Sequence, residues 1–130
     1  TICEENGLSL EVARRLSVFT ASYTDFNSAI TAVCNTFVSL GVTAVANEFK
    51  KLLETLKCLT DIKVIVDFSA VGGMNYYSGV VFKGYIKGIP SEVLSGGRYD
   101  KLMKKMGRSS GAIGFAVYLD ELGKLSSIGE

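Results

Sequence analysis

An α+β fold, with a helical layer preceding an antiparallel sheet, is predicted for this 130-residue chain by three observations. Up to about residue 60, apolar residues recur every three or four positions, as on one face of a helix. Beyond that point the pattern switches to the β-branched run "IKVIVDF" and to alternation in steps of two. Gly88 and Pro90 then supply turn chemistry between one apolar strand and a short return segment, which calls for an antiparallel hairpin. That pairing argues against a doubly wound nucleotide-binding sheet. The shift divides the chain into a helical region, residues 1–60, and a sheet region, residues 61–130, read as two layers rather than two independent domains.

Each element has its own signal. Ser9 can cap a helix carrying Leu10, Val12, Ala13, Leu16 and Phe19, and Thr24 or Asp25 a second one carrying Phe26, Ala29, Ile30, Val33, Phe37 and Leu40 before Gly41 stops it. A third helix presents Val42, Val45, Phe49, Leu52, Leu53 and Leu56 as a stripe, with Lys50, Lys51, Glu54 and Lys57 turned outward. Residues 62–68 read as a strand. Residues 80–87 read as another, with Phe82, Gly84 and Ile86 alternating against Val81, Lys83, Tyr85 and Lys87, and residues 92–95 return beside it. Gly96 and Gly97 lead into a helix over 99–106, a loop over 107–111, a last strand over 112–118 and a last helix over 120–125.

Composition narrows the class. With 48% hydrophobic and 21% charged residues the chain fits a soluble globular fold around one core, and a net charge of +1 gives no broad footprint for nonspecific nucleic-acid binding. The basic residues cluster at Arg98, Lys101, Lys104, Lys105 and Arg108, against the single acid Asp100. Lys101, Lys104, Lys105 and Arg108 fall on one helical face, which is either solvated surface or a contact for an acidic partner or RNA phosphates. No apolar run approaches 18 residues and no secretory start is visible, so a cytoplasmic location away from membranes is expected. Cys3, Cys34 and Cys58 are odd in number and widely spaced, and the chain has no histidine, so neither metal nor disulfide is expected. Cys34 and Cys58 sit in apolar helical stretches and read as small buried hydrophobes.

Three glycine-punctuated segments carry the functional signal. In "GGMNYYSGVVFKGY", Tyr76 and Tyr77 point to opposite faces if extended, so one of them can line a pocket; both can equally be sheet aromatics. Gly72, Gly73 and Gly79 around them favour a closely approached backbone. In "SGGRYD", paired glycines before a helix can expose N–H groups to a small anion, or simply make a tight turn with Asp100 complementing the helix dipole. In "GAIGFAVYLDEL", Gly111, Ala112, Gly114 and Ala116 make a strand that a ligand or another segment can approach. A P-loop lysine, a dinucleotide fingerprint and a hydrolase triad are all missing.

Taken in order, these segments resemble the histidyl-tRNA synthetase family over about residues 60–126, and the preceding helices resemble its helical insertion or linking region. Within that family the pattern is most similar to the regulatory subunits of ATP phosphoribosyltransferase, which are synthetase relatives without ligase activity. The resemblance implies a class II aminoacyl-tRNA synthetase-like antiparallel sheet flanked by helices, and it places Tyr76, Tyr77, Gly96, Gly97 and Tyr99 around a bound histidine. Where the synthetase pattern has an arginine and an acid before the tyrosines, this chain has Gly72 and Asn75; where it has an arginine for the ATP γ-phosphate, this chain reads Asp120 and Glu121. Losing one fixed donor from such a transition state costs about 3 kcal/mol, so no catalytic residue is assigned.

The resemblance therefore implies a regulatory subunit in histidine biosynthesis. It would bind histidine and a catalytic ATP phosphoribosyltransferase subunit, form a homodimer in the intact protein, carry no cofactor in these residues and have no tRNA partner. The first half of the synthetase-type domain is not among these residues, so a piece of a longer protein is expected. Two alternatives stay open: part of a divergent histidyl-tRNA synthetase, an ATP-dependent ligase, or an interaction scaffold with an empty pocket.

Overall fold

Ser9 opens the first helix, α1 (Leu10–Leu16), its hydroxyl accepting the Val12 N–H at 3.3 Å. The structure, a computed structural model, describes residues 5–69 and 77–125 and divides into two units, Thr1–Ala70 and Val71–Glu130. In the first unit α1 does not run on to Phe19 as its periodicity predicts; it tightens into a 3-10 turn over Ser17–Thr20. Ser17 Oγ donates to the Arg14 carbonyl and Thr20 Oγ1 to the Ser17 carbonyl, local bonds that compete with a continuing α-helix.

Asp25 is the cap of α2 (Phe26–Ser39), accepting at 2.7 Å from both the N–H and the hydroxyl of Ser28, and those two bonds hold its carboxyl below the usual range. Gly41, at φ 76°, ends that helix, and α3 (Thr43–Leu56) packs back against α2. Ala29, Val33, Ala46 and Leu53 are buried between them, and the Cys34 thiol donates to the Ala46 carbonyl at 3.4 Å. The rings of Phe19, Phe37, Phe49 and Phe68 form a continuous cluster with centroids 5.1–6.4 Å apart.

Three further expectations for this unit need correction. Val42 and Val45 are exposed, because Val42 precedes the helix proper and the buried stripe starts at Ala46. Cys58 is exposed as well, since Lys57 already caps α3 and the thiol turns back to the Thr55 carbonyl. The strand expected over 62–68 contracts to β2 (Val66–Asp67), whose partner is the equally short β1 (Ser22–Tyr23). Ladder bonds last only as long as the partner does, and Asp67 then accepts from Ser69 to bend the chain.

In the second unit β3 (Val81–Gly84), β4 (Leu94–Arg98) and β5 (Ile113–Val117) form an antiparallel sheet in that order. The predicted hairpin is present, from Val81 opposite Gly97 to Gly84 opposite Leu94. Its connection is longer than expected. The chain leaves the ladder after Gly84, whose carbonyl accepts the Val93 N–H at 2.9 Å, and Ile89 and Val93 are buried where the connection folds in. Helix α4 (Asp100–Lys105) follows β4 and α5 (Leu119–Gly123) follows β5. Among the described residues no helix is long and apolar enough to cross a membrane.

Candidate functional site: three tyrosines over a floor of small residues

Successive residues of a strand face opposite ways, so Ser95 and Gly97 of β4 share a face with Gly114 and Ala116 of β5. The register places Gly97 opposite Gly114 and Ser95 opposite Ala116, a patch of four small residues. Nothing larger fits at the glycine end. A Cβ on Gly97 would stand 2.6 Å from Tyr77 Cδ1 and 2.7 Å from the Val80 carbonyl, and one on Gly114 would collide with the Tyr99 hydroxyl. At the other end the Tyr118 hydroxyl meets Ser95 Oγ at 2.7 Å.

Tyr77, Tyr99 and Tyr118 thus wall a concavity of about 380 Å3, with Ser95, Gly96, Gly114, Phe115 and Ala116 completing its lining. That is the scale of a site for a small metabolite. Among the described residues the lining carries no charged side chain. It offers hydroxyls that donate and accept, together with aromatic faces that attract cations and stack on planar rings.

The corner that sets these walls is cross-braced. Ser78 donates its N–H to the Arg98 carbonyl and accepts the Asp100 N–H on its hydroxyl, both at 2.8 Å, which anchors the segment carrying Tyr77. The Tyr99 N–H donates to the Ala112 carbonyl at 2.9 Å. Asp100 does more than complement a helix dipole: its carboxylate accepts the Ala112 N–H at 3.2 Å and pairs with Arg98 Nε at 2.7 Å. Gly111 leaves room for that carboxylate, since a Cβ there would sit 2.5 Å from it.

Of the sequence-predicted residues, Tyr77, Gly96 and Tyr99 line the concavity, and Gly97 lies beneath the Tyr77 ring. Tyr76, like Gly72, Gly73 and Asn75, lies outside the described residues. The anion site proposed at a helix start is not what the glycines form. Gly96 and Gly97 are interior to β4, paired with Phe82 and Val81 on one side and Phe115 and Gly114 on the other, so their polar groups belong to the ladder. The basic stripe is also shorter than read: Lys101, Lys104 and Lys105 are exposed on α4, but Arg108 lies past its end, beyond Gly107. Ser95 and Tyr118 were missed by sequence reasoning. The available signal was two-residue spacing, from Gly97 back to Ser95 and from Gly114 through Ala116 to Tyr118.

Glu121 lies on α5, one turn beyond Tyr118. It accepts from Lys124 Nζ at 2.6 Å and from the Ser91 hydroxyl at 2.5 Å. The lysine first and the serine second hold its carboxyl below the ordinary value.

The family described as histidyl-tRNA synthetase matches residues 1–122. The chain belongs to this family. Among curated relatives, an ATP phosphoribosyltransferase regulatory subunit of Lactococcus lactis subsp. cremoris is 47% identical over 58 residues, 45% of this chain and 18% of the relative. One from Paraburkholderia phymatum is 37% identical over 87 residues, 64% of this chain and 23% of the relative. A crystal structure from Bacillus halodurans, described as an ATP phosphoribosyltransferase regulatory subunit/histidyl-tRNA synthetase, superposes with a TM-score of 0.61 at 28% identity. It covers 87% of this chain and 30% of the other. The chain therefore spans under a third of the length of these relatives. Its sheet and helices are of the class II synthetase type.

Proposed function

We propose that these residues are part of a regulatory subunit of ATP phosphoribosyltransferase, in which the tyrosine-walled concavity receives free histidine and reports its level to a catalytic subunit, without turning histidine over. One observation carries the reading: a site of amino-acid size whose described lining contains no cation. Activating an amino acid with ATP builds negative charge on a phosphate in flight, and such charge needs a fixed positive group. At the place where the synthetase pattern carries an arginine, Glu121 presents a carboxylate engaged by Ser91 and Lys124. An imidazole can stack on the tyrosine faces and exchange hydrogen bonds with their hydroxyls, and a protonated one gains further from the ring quadrupoles. The relatives named as regulatory subunits support the same assignment. No cofactor enters this reading, and the intact protein is read as a homodimer acting beside its catalytic partner.

A second reading, part of a histidyl-tRNA synthetase, is favoured by the description of the matching family. Histidine-dependent exchange of pyrophosphate into ATP by the complete protein separates the two. No exchange, with stimulation of a catalytic ATP phosphoribosyltransferase subunit on mixing, is the expected outcome; appreciable exchange overturns the regulatory reading.

A further inference from the structure

On the sheet face that carries the concavity, side-chain size rises from one end to the other. β4 presents Gly97 and then Ser95, while β5 presents Gly114, then Ala116 and, one residue past the strand, Tyr118. The flat end lies beneath Tyr77 and Tyr99, and the far end is closed by a single phenol ring. That ring is tied at both of its ends. The Tyr118 N–H donates to the Val93 carbonyl at 2.9 Å, its carbonyl accepts the Leu122 N–H at 3.1 Å, and its hydroxyl bonds Ser95 Oγ at 2.7 Å. Tyr118 therefore bridges from β5 across to β4. Beside Ser95 the same face continues on β3 to Lys83, which stands opposite it and pairs with Glu92 at 2.7 Å.

We infer that Tyr118 is the wall that sets how long a ligand this site accepts, admitting a free amino acid and excluding derivatives extended along the sheet. The inference rests on the reading of the concavity as an amino-acid site. Its physical basis is the gradient of size: along β5 the residues before Tyr118 on this face are Gly114 and Ala116, so its ring is the first large side chain that a ligand lying along that strand meets. Removing the ring lengthens the floor past Ala116 and leaves the glycine end, with Tyr77 and Tyr99, as it was. Removing only the hydroxyl keeps the wall standing without its tie to Ser95.

The test is calorimetric, on the complete protein and its Tyr118→Gly, Tyr118→Ala and Tyr118→Phe variants. Three ligands are titrated: histidine, histidine β-naphthylamide, which is extended at the carboxylate, and Nτ-benzylhistidine, which is extended at the ring. Relative to histidine, at least one extended ligand is expected to gain about tenfold or more in affinity in the glycine and alanine variants but not in Tyr118→Phe. If the unaltered protein already takes both extended ligands as well as histidine, or if neither gains when the ring is removed, the wall is refuted and the histidine reading stands. If both ring-removing variants lose histidine itself, the ring holds the ligand rather than limiting it, and the inference is again overturned. If histidine binds to none of the four proteins, the amino-acid reading and the wall that depends on it fall together.

Discussion

In the helical unit the centre is filled: Leu53 and Val33 are fully buried, and four phenylalanine rings close around each other. In the sheet unit the centre of one face is Gly97, Ser95, Gly114 and Ala116; the rings of Tyr77 and Tyr99 lie over its glycine end, and Tyr118 stands at the other. The two units draw on opposite kinds of residue. One is held by large apolar side chains whose removal leaves a void; the other is shaped by residues whose enlargement leaves no room. Stability in the first and recognition in the second are thus sensitive to opposite substitutions, and that contrast can be tested directly.

The largest effect belongs to the filled unit. Leu53→Ala deletes a side chain only 2% exposed and is expected to cost about 2–5 kcal/mol in denaturant unfolding of the complete protein. Histidine affinity measured where the variant is still folded should not move. A loss of affinity matching the loss of stability would erase the distinction between the units. Next comes enlargement in the open unit: Gly97→Ala drives a Cβ against Tyr77 and the Val80 carbonyl, so about 1–3 kcal/mol of stability should be lost together with histidine binding. An alanine variant that binds normally would show that the glycine floor has no part in the site.

The thiols sharpen the picture of the helical unit. Burial raises the pKa of Cys34, which lies against the Ala46 carbonyl, whereas Cys58 is exposed. Alkylation followed by peptide mass should find Cys58 modified about tenfold faster or more in the folded protein. Equal rates would mean that the α2–α3 interface opens readily. The smallest effect is at Glu121, whose carboxyl is lowered by Lys124 and Ser91. A carboxyl lowered in the folded state contributes stability above its ordinary value of 4.5, and that contribution disappears as pH falls below 4.5 through the lowered value. Glu121→Gln should therefore flatten the acid limb of unfolding midpoint against pH, with little change where all carboxyls are protonated.

Local chemistry was legible wherever a residue acts on its own neighbours. Ser9 and Asp25 cap the helices that their spacing marks, and Gly41 stops the helix it follows. What sequence could not supply was pairing. The run at 62–68 has strand composition along its length, but β1 offers only Ser22 and Tyr23 as partners, and nothing in "ASYTD" announces a strand. Gly96 and Gly97 look like a turn because isolated glycine favours one; two flanking strands that need a flat middle override that preference. Tyr77 and Tyr99 drew notice through their segments. Tyr118 did not, because its importance comes from Ser95, 23 residues away, at 2.7 Å.

Calorimetric titration of free histidine into the complete protein tests the central claim most directly. A saturable heat with one histidine per subunit, weakened when Tyr77 is replaced by alanine, is the predicted result. A flat titration, under conditions where the protein is folded and stimulates its catalytic partner, would contradict the account.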